Sequence, residues 1–138
     1  MTADLVEWLR TQLDTDERVA RAATPGPWEQ TGIGEYGWGV SFGRAGAGVE
    51  AEDSDQGRAD ADHIAAHDPA RVLREIDAKR ATLAQYAGAV DRMDQAMRDD
   101  DTSAYQAARV EAQTLQLVIR RDAAVYSDRP GYRPEWRP

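Results

Sequence analysis

Apolar residues along the chain follow two rhythms. The first is helical: Leu5, Leu9 and Leu13 recur at i, i+4 and i+8 with Val6 beside them, while Asp14, Asp16, Glu17 and Arg18 fall between. That spacing lines one face of an α-helix and predicts a helix over residues 3–22. Thr2 suits the cap, and Asp4 sits in the first turn, where negative charge complements the helix dipole. Trp8 lies at the edge of the stripe. Thr24-Pro25-Gly26-Pro27 stops the helix, because proline has no N–H to donate and its ring blocks the preceding turn. Trp28 follows and is expected to pack back on the helix. The second rhythm is a two-residue alternation: Trp38, Val40 and Phe42, with Val49 and Ala51 as a partner strand. Glycines punctuate this stretch, so residues 28–52 predict a small glycine-rich hairpin or sheet of two to three strands, followed by a polar loop over 50–56.

The helical rhythm then returns. Residues 58–67 predict a short helix. Asp68 and Pro69 restart the chain as N-cap and first helical residue. The long helix that follows runs to residue 98 on a stripe of Val72, Ile76, Leu83, Tyr86, Val90, Met93 and Met97, interrupted by Lys79. Asp99-Asp100-Asp101-Thr102 makes a turn. A last helix over 103–126 carries Ala108, Ala112, Leu115, Ile119 and Tyr126 in register. So short a connection implies antiparallel neighbours, an αα-hairpin. Repeated prolines predict an extended tail over 127–138. The expected fold is α+β and mainly helical, a single domain over 1–138: N-terminal helix, small glycine-rich β-hairpin or sheet, long antiparallel αα-hairpin and extended C-terminal tail. The heptad stripe of the long helix suggests a homo-oligomer, most simply a two-fold dimer.

Composition narrows the function. Of 138 residues, 41% are hydrophobic and 30% charged, so one small chain has a modest core and gains from association. The net charge of −8 opposes wrapping a nucleic acid polymer, which needs a basic field. With no cysteine there is no disulfide, thiolate metal site or cysteine nucleophile. No stretch has the ~20 apolar residues of a membrane span, and Met1–Arg10 lacks a signal-type apolar run. The expected compartment is the cytoplasm.

Candidate chemistry sits in four places. His63 and His67 share a helix face at i, i+4, and Asp60 lies one turn earlier, a spacing that can hold a divalent metal. Ile64 stands where a zincin-type motif has its glutamate base. Alternatively, His67 helps end one helix and His63 faces a neighbouring element or solvent. Carboxylates on the hairpin (Glu75, Asp77, Asp91, Asp94, Glu111) suit magnesium in principle, yet Arg80, Arg92 and Arg98 interleave with them as on a solvated face. The glycine-rich stretch lacks both the dinucleotide fingerprint and a P-loop ending, but its backbone amides beside Trp38 and Arg44 can receive an anion. The tail interleaves Tyr132 and Trp136 with Arg129, Arg133 and Arg137, a pattern for stacking a base and gripping a phosphate. It equally suits a tail docked on its own domain, with Trp136 in a groove.

Three segments together carry a resemblance: Ala22-Ala23-Thr24-Pro25-Gly26-Pro27-Trp28; Ala61-Asp62-His63-Ile64-Ala65-Ala66-His67-Asp68-Pro69-Ala70-Arg71-Val72-Leu73-Arg74-Glu75; and Arg129-Pro130-Gly131-Tyr132-Arg133-Pro134-Glu135-Trp136-Arg137-Pro138. The set resembles a family of uncharacterised proteins encoded by actinobacteria and their phages. The resemblance implies an accessory role in conflict between phage and host, without assigned catalytic residues. Three function classes follow. The first is a non-enzymatic oligomeric interaction protein acting through a protein partner. The second is a small-ligand binder that sequesters a nucleotide immune signal, with Trp28, Trp38, Arg44, Arg58, Arg129, Tyr132, Arg133 and Trp136 as ligand contacts. The third is a metal-dependent hydrolase on Asp60, His63 and His67. The residues favour binding over catalysis and imply no cofactor, since no nucleophile–base pair or complete ligand set is evident.

Overall fold

A computed structural model describes residues 2–138. It contains α1 (Thr2–Ala22), β1 (Glu29–Ile33), β2 (Trp38–Ser41), β3 (Gly48–Ala51), α2 (Asp55–Ala66), α3 (Pro69–Arg98), α4 (Thr102–Ala124) and a single 3-10 turn at Pro134–Trp136. The fold is α+β and mainly helical, with a small three-stranded antiparallel sheet. Contacts divide the chain into two compact units. One comprises the chain up to Asp14 together with Asp77–Pro138, and the other Thr15–Ile76.

In the first unit, the expected stripe of α1 is the core: Leu5, Leu9 and Leu13 are all but inaccessible to solvent. Arg80 of α3 donates to Asp14 of α1 at 2.7 Å. Ala3, Val6 and Arg10 of α1 line one groove with Leu83, Tyr86 and Val90 of α3. The α3–α4 hairpin is pinned at three levels. Lys79 donates to the Tyr126 hydroxyl at 3.3 Å, Gln116 to the Tyr86 hydroxyl at 3.4 Å, and Arg92 to Glu111. On that register Ala89 falls opposite Leu115, and Ala96 opposite Ala108.

The buried side of α4 is the expected one: Ala108, Ala112, Leu115, Ile119 and, beyond the helix end, Tyr126. The expected α3 stripe needs correction in its distal half. Ile76 and Leu83 are buried, but the positions buried further along are Ala89 and Ala96, whereas Met97 is 64% exposed. Ala89 lies about 120° around the helix from Leu83 at 100° per residue, so α3 turns a second face to α4. Small residues fill that face.

The hairpin turn is built by aspartates. The Asp101 N–H donates to Ala96 O at 2.9 Å and the Asp100 N–H to Met97 O at 3.3 Å, the two bonds of a Schellman C-cap. Asp100 takes the left-handed position, with φ of 51°, that glycine usually occupies. Asp101 then caps α4 by accepting from the Ala104 N–H at 3.0 Å.

In the second unit the strands run in the order β1-β2-β3. The register pairs Trp38 with Ala51 and Val40 with Val49, the alternation expected from sequence. β1 pairs with the other side of β2, with an irregularity between Gln30 and Gly32. Helix α2 covers one sheet face, where Val40 and Ala61 are buried. Gln30 on that face donates to Asp62 of α2 at 3.0 Å. Helix α2 starts earlier than expected, at Asp55. Ser54 caps it by accepting from the Gly57 N–H at 2.9 Å, so the polar loop is shorter than the sequence suggested.

Replacing Asp100 with glycine removes the Cβ strain of the left-handed position. It is expected to raise stability by about 0.5–1 kcal/mol, part of the strain being offset by glycine's freedom in the unfolded chain. Urea unfolding of Asp100→Gly against the wild type measures it.

Candidate functional site

The second unit carries a knot of loop and helix start. After α1, Pro25 leads to Gly26, whose φ of 88° lies in the region glycine favours. A Cβ there would sit 2.7 Å from the Trp28 amide nitrogen. The Trp28 indole N–H donates to Thr24 O at 2.8 Å, and its ring stacks on Phe42 with centroids 4.2 Å apart. Asp68 serves two segments of the chain at once. One carboxylate oxygen accepts from the Arg71 N–H at 2.9 Å, capping α3, and the other from the Trp28 N–H at 3.4 Å. Beside the knot lies a cavity of about 200 Å³ walled by Val19, Ala20, Trp28 and Val72, with Asp16 and His67 also lining it.

His63 and His67 stand on α2 and at its end with ring centroids 4.2 Å apart. The His67 Nδ1 lies 2.7 Å from His63 O, so a protonated Nδ1 donates to that carbonyl. Asp60 accepts from Gln56 at 2.9 Å. Among the described residues no group of three or more His, Asp or Glu side chains is gathered closely enough to hold a metal ion.

The other candidates in this unit lie on opposite faces of the sheet. Trp38 and Val40 share the α2 side, and there the Arg58 guanidinium lies 5.2 Å over the Trp38 ring. Arg44 stands in the β2–β3 turn and lines a shallow depression of about 660 Å³ with Thr31, Gly39, Ser41, Gly48 and Glu50, which belong to the outer face or its edge. Thus Arg44 and Arg58 do not converge.

In the first unit the tail is docked. The Trp8 indole N–H donates to Pro130 O at 3.1 Å, and its ring lies 5.5 Å from both Tyr132 and Trp136. Trp136 is buried. Gly131, with φ of 89°, lets the backbone pass the indole; a Cβ there would come within 2.7 Å of the Trp8 indole nitrogen. Arg133 lies over Trp136 and pairs with Asp4 at 3.2 Å. Arg129 lies over Tyr126 at 4.5 Å and reaches Gln12 at 3.4 Å. The tail is therefore not uniformly extended: it turns at Gly131 and forms a 3-10 turn at Pro134–Trp136.

Two of the hairpin carboxylates are partnered by basic or amide groups, Glu75 by Arg71 at 3.1 Å and Glu111 by two side chains. Glu111 accepts from Gln85 at 3.2 Å and from Arg92, and these bonds hold its carboxyl below the ordinary range. Their support is present above that range and fades as pH falls through the lowered value. Asp122 moves the other way, raised by burial against the attraction of Lys79.

A family model matches residues 2–138. The chain belongs to DUF6221, a family of unknown function. No curated protein and no solved structure matches it. Within this DUF6221 chain, two of the three segments singled out by sequence meet at the Trp28–Asp68 bond, and the third wraps Trp8. Trp8 and Phe42 were not among the candidate contacts. The sequence signal for Trp8 was its position at the edge of the α1 stripe, but nothing local points 122 residues ahead to Pro130.

Two substitutions test these assignments. Asp68→Ala loses the cap and the Trp28 bond together and is expected to cost about 1–2 kcal/mol in denaturant unfolding. The Tyr132 hydroxyl is buried without a hydrogen-bond partner among the described residues. Tyr132→Phe removes that unpaired group and is expected to leave stability unchanged or raise it by up to about 1 kcal/mol, read as the shift in unfolding midpoint.

Proposed function

We propose that this DUF6221 protein is a non-enzymatic oligomeric binding protein that acts through a protein partner. The observation that carries this reading is how the two kinds of side chain are used. The arginines and aromatics that would grip a nucleotide are largely spent on the chain itself: Arg58 on Trp38, Arg129 on Tyr126, Arg133 on Trp136 and Asp4. Large apolar side chains, by contrast, stand in solvent, with Met97, Val110 and Leu117 all more than half exposed on the hairpin. Val110 and Leu117 lie seven residues apart on one face of α4, and apolar side chains aligned along a helix face favour protein contact. The resemblance to proteins of actinobacteria and their phages fits an accessory role in the cytoplasm.

A second reading, sequestration of a nucleotide signal, keeps one support. Arg44 lines an open depression floored by glycines, where a flat ring can lie against backbone. The metal-dependent hydrolase reading retains the paired imidazoles of His63 and His67.

Native mass spectrometry of gently purified protein, alone and mixed with a pool of cyclic and linear nucleotides, separates these readings. The expected result is a discrete oligomer with no nucleotide adduct. A stoichiometric adduct that Arg44→Ala abolishes would replace the protein-partner reading with sequestration.

A further inference from the structure

Helix α4 carries a second heptad stripe, on the side away from its core. Ala107, Val110, Thr114, Leu117, Arg121 and Ala124 succeed one another at alternating steps of three and four residues. This is the spacing of a coiled-coil seam. The buried stripe of the same helix lies on the opposite side, for Val110 and Ile119 are nine residues apart, or about 180° around at 100° per residue. Val110 is 62% exposed and Leu117 52%. The Thr114 hydroxyl is turned back onto Val110 O at 3.0 Å, which is an internal bond and spends its polarity on the helix. Arg121 is the one charged residue in the row.

We propose that this outer face of α4 is a dimer interface and that its occupant is a second copy of this chain, packed antiparallel about a two-fold axis near Thr114. The inference rests on the oligomeric reading above and assigns its surface. Two features select the occupant. First, the stripe is self-complementary: with Thr114 at the axis, Val110 meets the partner's Leu117 and Leu117 meets the partner's Val110, a closed isologous contact. Second, the charge along the helix is polar. Asp99, Asp100 and Asp101 stand in the turn before it, after Arg98, and Arg120 and Arg121 near its end, before Asp122, so the start is net acidic and the end net basic. Antiparallel pairing brings the acidic start of one copy toward the basic end of the other. The partner's Asp101 lies about 9 Å along the axis from the level of Arg121, whereas exposed charges act over about 8–10 Å, so the long Arg121 side chain has to close the gap. Parallel pairing would set like against like. Arg121 then faces the small Ala107 of the partner subunit, leaving room for its stem to lie along the seam toward the acidic turn.

Sedimentation velocity of the full chain over a wide concentration range is the test. The wild type is expected to move reversibly between the chain mass and twice that mass. Val110→Glu combined with Leu117→Glu is expected to stay at the chain mass, with unchanged circular dichroism because both positions are exposed. Met97→Glu, at the far end of α3, is expected to dimerise like the wild type. Direction is read by cross-linking, since the chain has no cysteine of its own. A mixture of Val110→Cys and Leu117→Cys is expected to form a disulfide-linked pair, and Val110→Cys alone is not. A dimer that survives the double glutamate substitution would overturn this face while leaving the oligomeric reading intact. A wild type that remains at the chain mass throughout would overturn both. Cross-linking by Val110→Cys alone would overturn the antiparallel arrangement.

Discussion

The small-residue seam between α3 and α4 shapes much of this protein's surface. Ala89 and Ala96 on one helix, and Ala108, Ala112 and Ala123 on the other, are buried positions with only a methyl to contribute. Burial of a methyl contributes little, at about 25 cal/mol per Å² of apolar area. The hairpin compensates with cross-links along its length, from Lys79–Tyr126 to Arg92–Glu111, and with a turn capped twice by Asp101. The inner face of α4 also buries the larger Leu115 and Ile119. Met97, Val110 and Leu117 are all outside. Apolar side chains thus stand on both faces of α4, buried on one and exposed on the other.

Two aromatic assemblies anchor the rest, each within its own unit. Around Trp8, the tail closes by one indole hydrogen bond, two ring contacts and a glycine that keeps clear of the ring. Around Trp28, a single carboxylate at Asp68 both starts α3 and holds the loop that ends α1. In each, arginine or aspartate completes an aromatic contact instead of facing a pocket. The segments that offered ligand contacts in the sequence thus also act as fastenings within their own units.

Much of this was legible from periodicity. Leu5, Leu9 and Leu13 announced the buried side of α1, and Ala108 through Tyr126 that of α4. The pairing of Trp38 and Val40 with Ala51 and Val49 followed from their alternation. Asp68-Pro69 marked the start of α3 because capping is a local property. What failed was non-local or disguised. β1 carries no apolar alternation, since its inward Gln30 is satisfied by Asp62 on a helix that sequence spacing does not place there. Met97 looked like core because it is large and apolar, whereas the residues used were Ala89 and Ala96, which any helix surface can carry. The outer stripe of α4 was masked by the inner one, for in a helix with two apolar faces the stronger periodicity hides the weaker.

The outward row of α4 is proposed to be covered by a second copy of this chain. Hydrogen–deuterium exchange at dilute and concentrated protein tests it most directly, because it reports where association is felt along the chain. Amides over residues 107–121 are expected to exchange more slowly at the higher concentration, while those of α2 keep their rate. Slowing confined to other segments, with 107–121 unchanged, would contradict the account.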